Sequence, residues 1–256
     1  MHINNFYSFS LKSLTVLGLS AAVIAFAGST AQAQDATFTP EQKSAIVAIF
    51  EEHLKEKPEI VMEAITLHQE NEQKAEQERA ESAVKENLAA MTGPEWPFAG
   101  NVDGDVTVIE FFDFNCGYCK RAVPDIQAAL KEDPNVKFIF HEMPILGPTS
   151  RTAAQYALAA HKQGKYFEYH VALMEHVGQK TEEEMVKLGE ELKLDVDQLK
   201  TDAESEEVGK MIEESMELAS KIGIRGTPAF IVEDTLFRGY LGPDGMKREI
   251  DKARGE

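Results

Sequence analysis

Cysteine is nearly absent from this sequence, and basic side chains are few. The 256 residues include two cysteines and one tryptophan, and 26 lysines and arginines stand against 44 aspartates and glutamates, a net charge of −18. Two cysteines exclude a fold built on a network of disulfides. The acidic balance argues against a nucleic-acid partner, because phosphate binding depends on clustered lysine and arginine. A chain of this length can still bury a full core without crosslinks.

Long apolar runs are also lacking. The run from Leu14 to Ala27 is about 14 residues long, shorter than the roughly 20 that a membrane-spanning helix needs. It follows Lys12 and precedes Ala31-Gln32-Ala33, and this order of charge, short apolar segment and small residues is typical of a secretory signal. We expect residues 1–33 to be a signal peptide cleaved after Ala33, with the mature protein in the periplasm. The alternative is a retained membrane anchor.

Residues 34–92 are predicted to form a helical stalk. Thr39 and Pro40 are a favourable N-cap and first helical residue. Apolar side chains then recur at helical spacing, and a second helix is predicted to end at about Met91. Between residues 69 and 82 the chain is almost wholly polar, which predicts a solvated spacer or a frayed segment. The apolar residues of the stalk that could bury one another between chains are Ile46, Ile49, Phe50, Leu54, Val61 and Ile65.

The apolar residues of the stalk leave two interpretations open. They pack on the main domain, or they bury one another between copies of the chain. The heptad-like pattern of apolar residues is too short, and Pro58 interrupts it, so the pattern does not distinguish a dimer from a trimer. Gly93-Pro94 marks the boundary with a compact domain over residues 93–256.

A buried strand, a Cys-x-x-Cys motif and an amphipathic helix follow one another in that domain. The segment from Val106 to Phe112 is rich in β-branched and aromatic residues, the pattern of a strand buried on both faces of a parallel sheet. Cys116 and Cys119 come next, and Cys119 shares one predicted helix face with Val123, Ile126 and Leu130. The pattern predicts an exposed Cys116 at the helix N-terminus and a shielded Cys119 one turn further along.

This placement predicts a redox-active dithiol. Free N–H groups and the helix dipole stabilise a thiolate at a helix N-terminus, so Cys116 is the predicted nucleophile. Cys119 is predicted to resolve the mixed disulfide by attacking Cys116. A structural disulfide is a weak alternative, because a four-residue loop stabilises the fold by only about 2 kcal/mol. Zinc would need further ligands, whereas Cu(I) on two thiolates is chemically conceivable. We expect no cofactor and no bound metal.

The motif lies in a longer stretch that resembles the thioredoxin superfamily and, within it, the DsbA-like proteins. The resemblance rests on the segment from Phe111 to Lys120, on Glu110 six residues before the first cysteine, and on Gly226-Thr227-Pro228 ahead of a predicted strand. It covers about residues 93–256. It implies an α/β thioredoxin fold with a helical insertion at about 149–222, preceded by the helical oligomerisation stalk. It also implies that the Thr227–Pro228 bond is cis and lies against the cysteine pair.

The resemblance implies roles for further residues. Thr227 would pair through its backbone with an extended substrate segment, and Pro228, Gly117 and Tyr118 would help to bind that segment. Glu110 is a carboxylate in an apolar strand, where burial would raise its pKa, and it would accept the proton of the second cysteine. The alternative for Glu110 is a solvent-facing position on an edge strand.

Within the DsbA-like branch, the sequence is similar to suppressor-of-copper-sensitivity C (ScsC) proteins, which share the Cys-Gly-Tyr-Cys motif and a comparable N-terminal helical segment. Some members are trimers and act as disulfide isomerases. The resemblance therefore implies a homo-oligomer, with a trimer favoured over a dimer, and a membrane thiol reductant of the DsbD/ScsB type as partner. Strongly oxidising DsbA enzymes have Pro-His between the cysteines, and Gly117-Tyr118 supplies no such imidazole.

We expect a protein disulfide isomerase that acts on misoxidised or reduced exported proteins. The alternative within the same chemistry is a dithiol oxidase that introduces disulfides. The alternative of another class is a periplasmic copper-binding protein of copper tolerance.

Overall fold

The computed structural model describes residues 38–255, and the predicted signal peptide, residues 1–33, lies outside them. Within that range the chain forms nine helices and one five-stranded sheet. The chain divides into two compact units between Ile60 and Val61. Across the described range, no helix is both long enough and apolar enough to span a membrane.

The first unit contains helix α1, Pro40–Glu56. Thr39 is its N-cap, as predicted, and forms a capping box with Gln42: each backbone N–H donates to the other residue's side-chain oxygen. None of the side chains of α1 is buried in the described chain. Its exposed large apolar side chains are Ile46, Val47, Ile49 and Phe50.

Helix α2, Glu59–Met91, runs without a break through the polar stretch 69–82, and its predicted end at Met91 is confirmed. The polar stretch is therefore not frayed. Nor is it solvated throughout, because Ala80 is buried and the Gln77 side chain donates to the Leu236 carbonyl at 3.4 Å. Val84 is also buried, so the C-terminal half of α2 belongs to the core of the second unit.

The sheet of the second unit is mixed, with strand order β1-β3-β2-β4-β5. The central strand β2 runs parallel to β3 and antiparallel to β4. The strands are β1 Phe98–Gly100, β2 Val106–Phe112, β3 Val136–Glu142, β4 Ala229–Val232 and β5 Thr235–Arg238. The predicted α/β fold class is confirmed, and so is the buried strand that precedes the cysteines.

Five helices lie between β3 and β4, in the region where a helical insertion was predicted. They are α4 Pro148–Lys162, α5 Tyr166–Glu175, α6 Glu182–Glu191, α7 Val196–Ala203 and α8 Glu206–Lys221. Outside the insertion, α3 spans Gly117–Glu132 and α9 spans Gly242–Arg254.

The two faces of the sheet belong to different apolar clusters. Phe112 and Phe140 face the larger cluster, which also contains Cys119 and side chains of α3 to α7. Ile109 and Phe111 face the smaller cluster, which contains side chains of α2 and α8. Because side chains alternate along a strand, Glu110 lies on the same face as Phe112, towards the cysteines.

Candidate active site

The two cysteines lie at the start of α3, where β2 has just ended. Cys116 is the N-cap residue and Cys119 lies in the first turn, and both are thiols. The predicted order along the helix is confirmed. The predicted exposure of Cys116 is wrong, because only 7% of this residue is accessible and Cys119 is fully buried. The reason is that the loop of Thr227 packs against the sulfur.

That loop sets the environment of Cys116. The Cys116 Sγ–H donates to the Thr227 carbonyl oxygen at 3.3 Å, and the Thr227–Pro228 bond is cis, as the resemblance implied. Burial alone raises the pKa of the Cys116 thiol. Hydrogen bonds that the sulfur accepts from the Thr227 side chain, from Cys119 and from the Tyr118 backbone favour the thiolate and outweigh burial, so the pKa lies below its ordinary value.

Cys119 has the opposite character. Burial raises the pKa of its thiol, and the negative charge that Glu110 can carry raises it further. The two thiols of one short motif are therefore unlike: Cys116 ionises readily, whereas Cys119 retains its proton.

Glu110 lies inside the protein, with 1% of its surface accessible. The alternative of an edge-strand position is excluded, because β2 has neighbours on both sides. Neither carboxyl oxygen has a hydrogen-bond partner among residues 38–255. Burial, with a smaller contribution from the negative charge of Cys116, raises the pKa of Glu110 to about 8. A carboxyl group that titrates near neutral pH beside a buried thiol is suited to accept its proton.

Gly117 and Tyr118 separate the cysteines and form part of the surface beside them. Tyr118 is 56% exposed, with its ring centroid 5.0 Å from the Arg121 guanidinium carbon and 6.4 Å from the ring centroid of Tyr240. Tyr240 in turn donates a hydrogen bond to the Asp125 carboxylate on α3. A Cβ added at Gly117 would meet no atom within 4 Å in the described structure, so the space above it is open.

Asp113 organises the loop before the cysteines, a role that the sequence did not reveal. One carboxylate oxygen accepts from the Asn115 N–H at 2.7 Å and the Ser150 hydroxyl at 2.8 Å. The other accepts from the N–H groups of Ile145 and Leu146, each at 2.8 Å. The spacing of Asp113 and Asn115 is typical of a local turn, but the other partners of Asp113 lie more than thirty residues away.

Three further polar side chains pack on the face of the sheet that carries Glu110, and sequence reasoning missed them as well. Glu142 lies on β3 and accepts a hydrogen bond from the Tyr166 hydroxyl at 2.7 Å. Burial raises the pKa of Glu142, and it lowers the pKa of His170 on α5 to about 3. The signal that singled out Glu110, a titratable residue within an apolar element, applies to Glu142 and His170 as well.

Comparison with known proteins places these features in a family. The protein-family model for the DSBA-like thioredoxin domain matches residues 107–251 of this chain. A thioredoxin-like oxidoreductase from Silicibacter pomeroyi DSS-3 is 44% identical, with a TM-score of 0.64 over 66% of this chain and 99% of that one. Proteus mirabilis ScsC in a transitional conformation is 25% identical, with a TM-score of 0.63 over 84% of this chain and 98% of that one.

Curated relatives match a similar part of the chain. Disulfide bond formation protein D of Bacillus subtilis (strain 168) is 29% identical over 169 residues, which are 61% of this chain and 76% of that protein. The Na(+)/H(+) antiporter NhaA 1 of Salinispora arenicola is 28% identical over 185 residues. The chain spans only 28% of the length of that antiporter. The family match covers more than half of the chain and includes both cysteines and the cis-proline loop. The chain therefore belongs to the DSBA-like thioredoxin domain family.

Proposed function

We propose that this protein is a periplasmic thiol-disulfide oxidoreductase that acts mainly as a disulfide isomerase. The observation that carries the thiol-disulfide chemistry is the pair of unlike thiols, with the pKa lowered at Cys116 and raised at Cys119. The preference for isomerase rests on Gly117-Tyr118 between them. An attacking sulfur must be a thiolate, whereas a resolving sulfur should keep its proton until it is needed. Membership of the DSBA-like family supports the same chemistry.

The reaction begins when the Cys116 thiolate attacks one sulfur of a client disulfide. The client S–S bond breaks, a mixed disulfide with Cys116 forms, and the client sulfur that leaves takes a proton. In isomerisation that client sulfur loses its proton again and attacks, as a thiolate, another disulfide of the same client. A client thiolate finally displaces Cys116 from the mixed disulfide, so no electrons are transferred overall.

Cys119 provides the escape from a client that does not rearrange. Its proton passes to Glu110, its sulfur bonds to Cys116, and the client leaves as a thiolate. The cysteine pair is then oxidised and the client has gained two electrons. A membrane thiol reductant of the DsbD/ScsB type must return the pair to the dithiol before the next cycle.

We infer that the client segment pairs with the backbone of Thr227. The Thr227 carbonyl lies 3.3 Å from the Cys116 sulfur, so a client strand beside it would bring its own sulfur to the attacking atom. The open space at Gly117 and the exposed ring of Tyr118 adjoin the same sulfur. Pro228 follows directly and fixes the loop.

The second candidate function is dithiol oxidase. It is favoured by the lowered pKa of Cys116, because stabilising the thiolate stabilises the reduced pair and makes its disulfide a stronger oxidant. Isomerase is favoured by Gly117-Tyr118, which places no imidazole between the cysteines to stabilise the thiolate further.

We further propose that the protein works as a homo-oligomer, with a trimer favoured, joined through α1. The exposed fractions of Ile49 and Phe50 are 67% and 61%, which is unusual for large apolar residues on one helix. Burial between copies would stabilise the assembly by about 25 cal/mol for each Å² of apolar surface. Several active sites in one assembly could then act on different disulfides of one client.

The test is reactivation of scrambled, fully oxidised ribonuclease by the reduced chain lacking residues 1–33. It is run beside Ile49→Lys, which puts a charge in the apolar face of α1. Ser44→Lys adds the same charge on the opposite face of the helix and is the matched control. We expect reactivation by the unsubstituted chain and by Ser44→Lys, and a loss of roughly tenfold or more in Ile49→Lys.

A different pair of results would identify an oxidase instead of an isomerase. If none of these proteins reactivates scrambled ribonuclease, while the oxidised form rapidly oxidises reduced ribonuclease, the protein is an oxidase. The isomerase proposal then fails.

A further inference from the structure

We propose that His170 is a positioning residue for Glu110, acting through one internal water molecule that holds the Glu110 carboxylate ready to receive the proton of Cys119. This inference rests on the proposed role of Glu110. It does not depend on whether the protein is an isomerase or an oxidase, because Cys119 exchanges a proton with Glu110 in both. Cys119 gives the proton up when it displaces a client from Cys116, and takes it back when a client thiolate breaks the Cys116–Cys119 bond.

Four neighbouring side chains of β2 and β3 lie on one face of the sheet. In the parallel pair of β2 and β3, Glu110 is opposite Phe140 and Phe112 is opposite Glu142. Opposite residues, and residues two apart on one strand, share a face of the sheet. The four side chains therefore form a square, with the two carboxyl groups on one diagonal and the two phenyl rings on the other.

His170 packs on this square from α5. Its ring centroid lies 4.8 Å from that of Phe112 and 4.9 Å from that of Phe140. Because it contacts both rings of one diagonal, the imidazole packs against the same face of the sheet as the two carboxyl groups. The Glu142 carboxyl group already has a donor in the Tyr166 hydroxyl, which leaves Glu110 as the group in need of one.

The polar atoms of His170 and Glu110 lack partners in the described chain. Both ring nitrogens of His170 and both carboxyl oxygens of Glu110 are buried, and none has a hydrogen-bond partner there. Buried polar groups are almost always hydrogen-bonded, and a neutral imidazole always has one donor and one acceptor to satisfy. Two side chains packed on one face of the sheet, with these four unpartnered polar atoms between them, make a polar setting of the kind in which proteins hold an internal water molecule.

The water would connect a donor to an acceptor. The His170 N–H would donate to the water oxygen, and the water would donate to the Glu110 carboxylate. This favours the charged form of Glu110 and opposes burial, which raises its pKa to about 8. Burial lowers the pKa of His170 to about 3, so the ring stays neutral and orients the water without taking the proton.

No other titratable group near Glu110 offers this stabilisation. Each is neutral or negative near neutral pH, and among the described residues these groups are Cys116 and Cys119 from α3, Glu142 from β3 and Tyr166 from α5. In the resolving step the Cys119 proton passes to Glu110, the Cys116–Cys119 bond forms and the client thiolate leaves. A donor that favours the Glu110 carboxylate makes the proton acceptor available at lower pH.

The experiment measures the rate at which Cys119 displaces a reporter thiol from a mixed disulfide with Cys116, as a function of pH in the full chain. Removing the ring in His170→Met should move the midpoint of the profile upward by about one pH unit, which is about tenfold in rate below the midpoint, the size expected for a hydrogen bond to a charged group. His170→Gln keeps a donor and an acceptor and should restore most of the rate.

The matched control for packing is Phe167→Leu. Phe167 stacks on the imidazole from the same helix at 6.1 Å and carries no polar side-chain atom. It should leave the pH midpoint unchanged. If His170→Met and Phe167→Leu shift the profile equally, His170 acts by packing alone and the proposal is overturned.

The Glu110→Gln variant separates this proposal from the one on which it rests. In that background His170→Met should cause no further shift. A profile altered by Glu110→Gln but not by His170→Met overturns the role of His170 alone. A profile that Glu110→Gln leaves unchanged overturns the proposed role of Glu110 itself.

A second measurement requires no substitution at His170. The ¹⁵N chemical shifts of its ring should change between the unsubstituted chain and Glu110→Gln, because the water couples the two groups. Identical shifts would overturn the proposal even if the His170 variants do not fold.

Discussion

Glu110 is the residue whose surroundings are least like those a carboxylate prefers. It is buried, no described group hydrogen-bonds to it, and burial raises its pKa from 4.5 to about 8. In the unfolded chain the carboxyl group ionises at the lower value. The protonated form therefore stabilises the fold fully below about pH 4.5, and this contribution is lost as pH rises through about 8.

The difference between the pKa of Glu110 in the folded chain and in the unfolded chain makes the stability of the protein depend on pH. Between pH 4.5 and 8, the free energy of unfolding of the reduced protein should fall by up to about 5 kcal/mol relative to Glu110→Gln, at about 1.4 kcal/mol for each pH unit. Guanidinium unfolding of both proteins at the two pH values measures the effect. Parallel pH dependence in the two proteins would contradict the burial of an ionisable Glu110.

Residues whose chemistry shows in local spacing were predictable from the sequence. The cysteine pair, Glu110 and Thr227-Pro228 each belong to a short motif of neighbouring residues that can be identified without the fold. Asp113 and His170 could not be assigned roles in this way, because their contacts come from segments far apart in the chain. The accessibility of Cys116 was predicted wrongly for the same reason, since the loop that covers it lies 111 positions away.

At the scale of elements, α2 has two different halves. Its N-terminal half has exposed apolar side chains, including Met62 at 62%. At its other end Met91 is fully buried, and the Met91 carbonyl lies 2.9 Å from Nε2 of His141. The sequence predicted where this helix ends but not how it packs. Its buried side chains include small ones such as Ala80, and they are outnumbered by the glutamates and lysines around them, so no apolar face is evident in the sequence.

The two methionines of α2 give a matched prediction. Met91→Ala should lower the free energy of unfolding by about 2–5 kcal/mol, as for other buried methionines, because it leaves a cavity against the sheet. Met62→Ala should change it by less than about 0.5 kcal/mol. Unfolding is followed by the fluorescence of Trp96, the single tryptophan, which lies in the same cluster as Met91. Equal effects of the two substitutions would contradict the packing of α2.

At the scale of the whole molecule, the proposed assembly depends on α1. The chain lacking residues 1–33 is expected to have the mass of an oligomer, with three copies favoured, in light scattering. Ile49→Lys should reduce that mass to one copy because a lysine in an apolar interface is costly to desolvate, while Ser44→Lys should leave it unchanged. An unsubstituted chain that is monomeric at all concentrations would contradict the proposed role of α1. Neither composition nor fold predicts this assembly, because the repeat of apolar residues is too short to specify a number of copies.

The central claim is that one short motif holds two thiols of opposite reactivity, and alkylation of the reduced protein tests it most directly. The full chain is treated with iodoacetamide across a range of pH, and the modified peptides are identified by mass spectrometry. We predict that Cys116 alone reacts, with a midpoint below the ordinary thiol pKa of 9.0, while Cys119 stays protected. Equal modification of both cysteines, or a Cys116 midpoint at or above 9.0, would contradict the account.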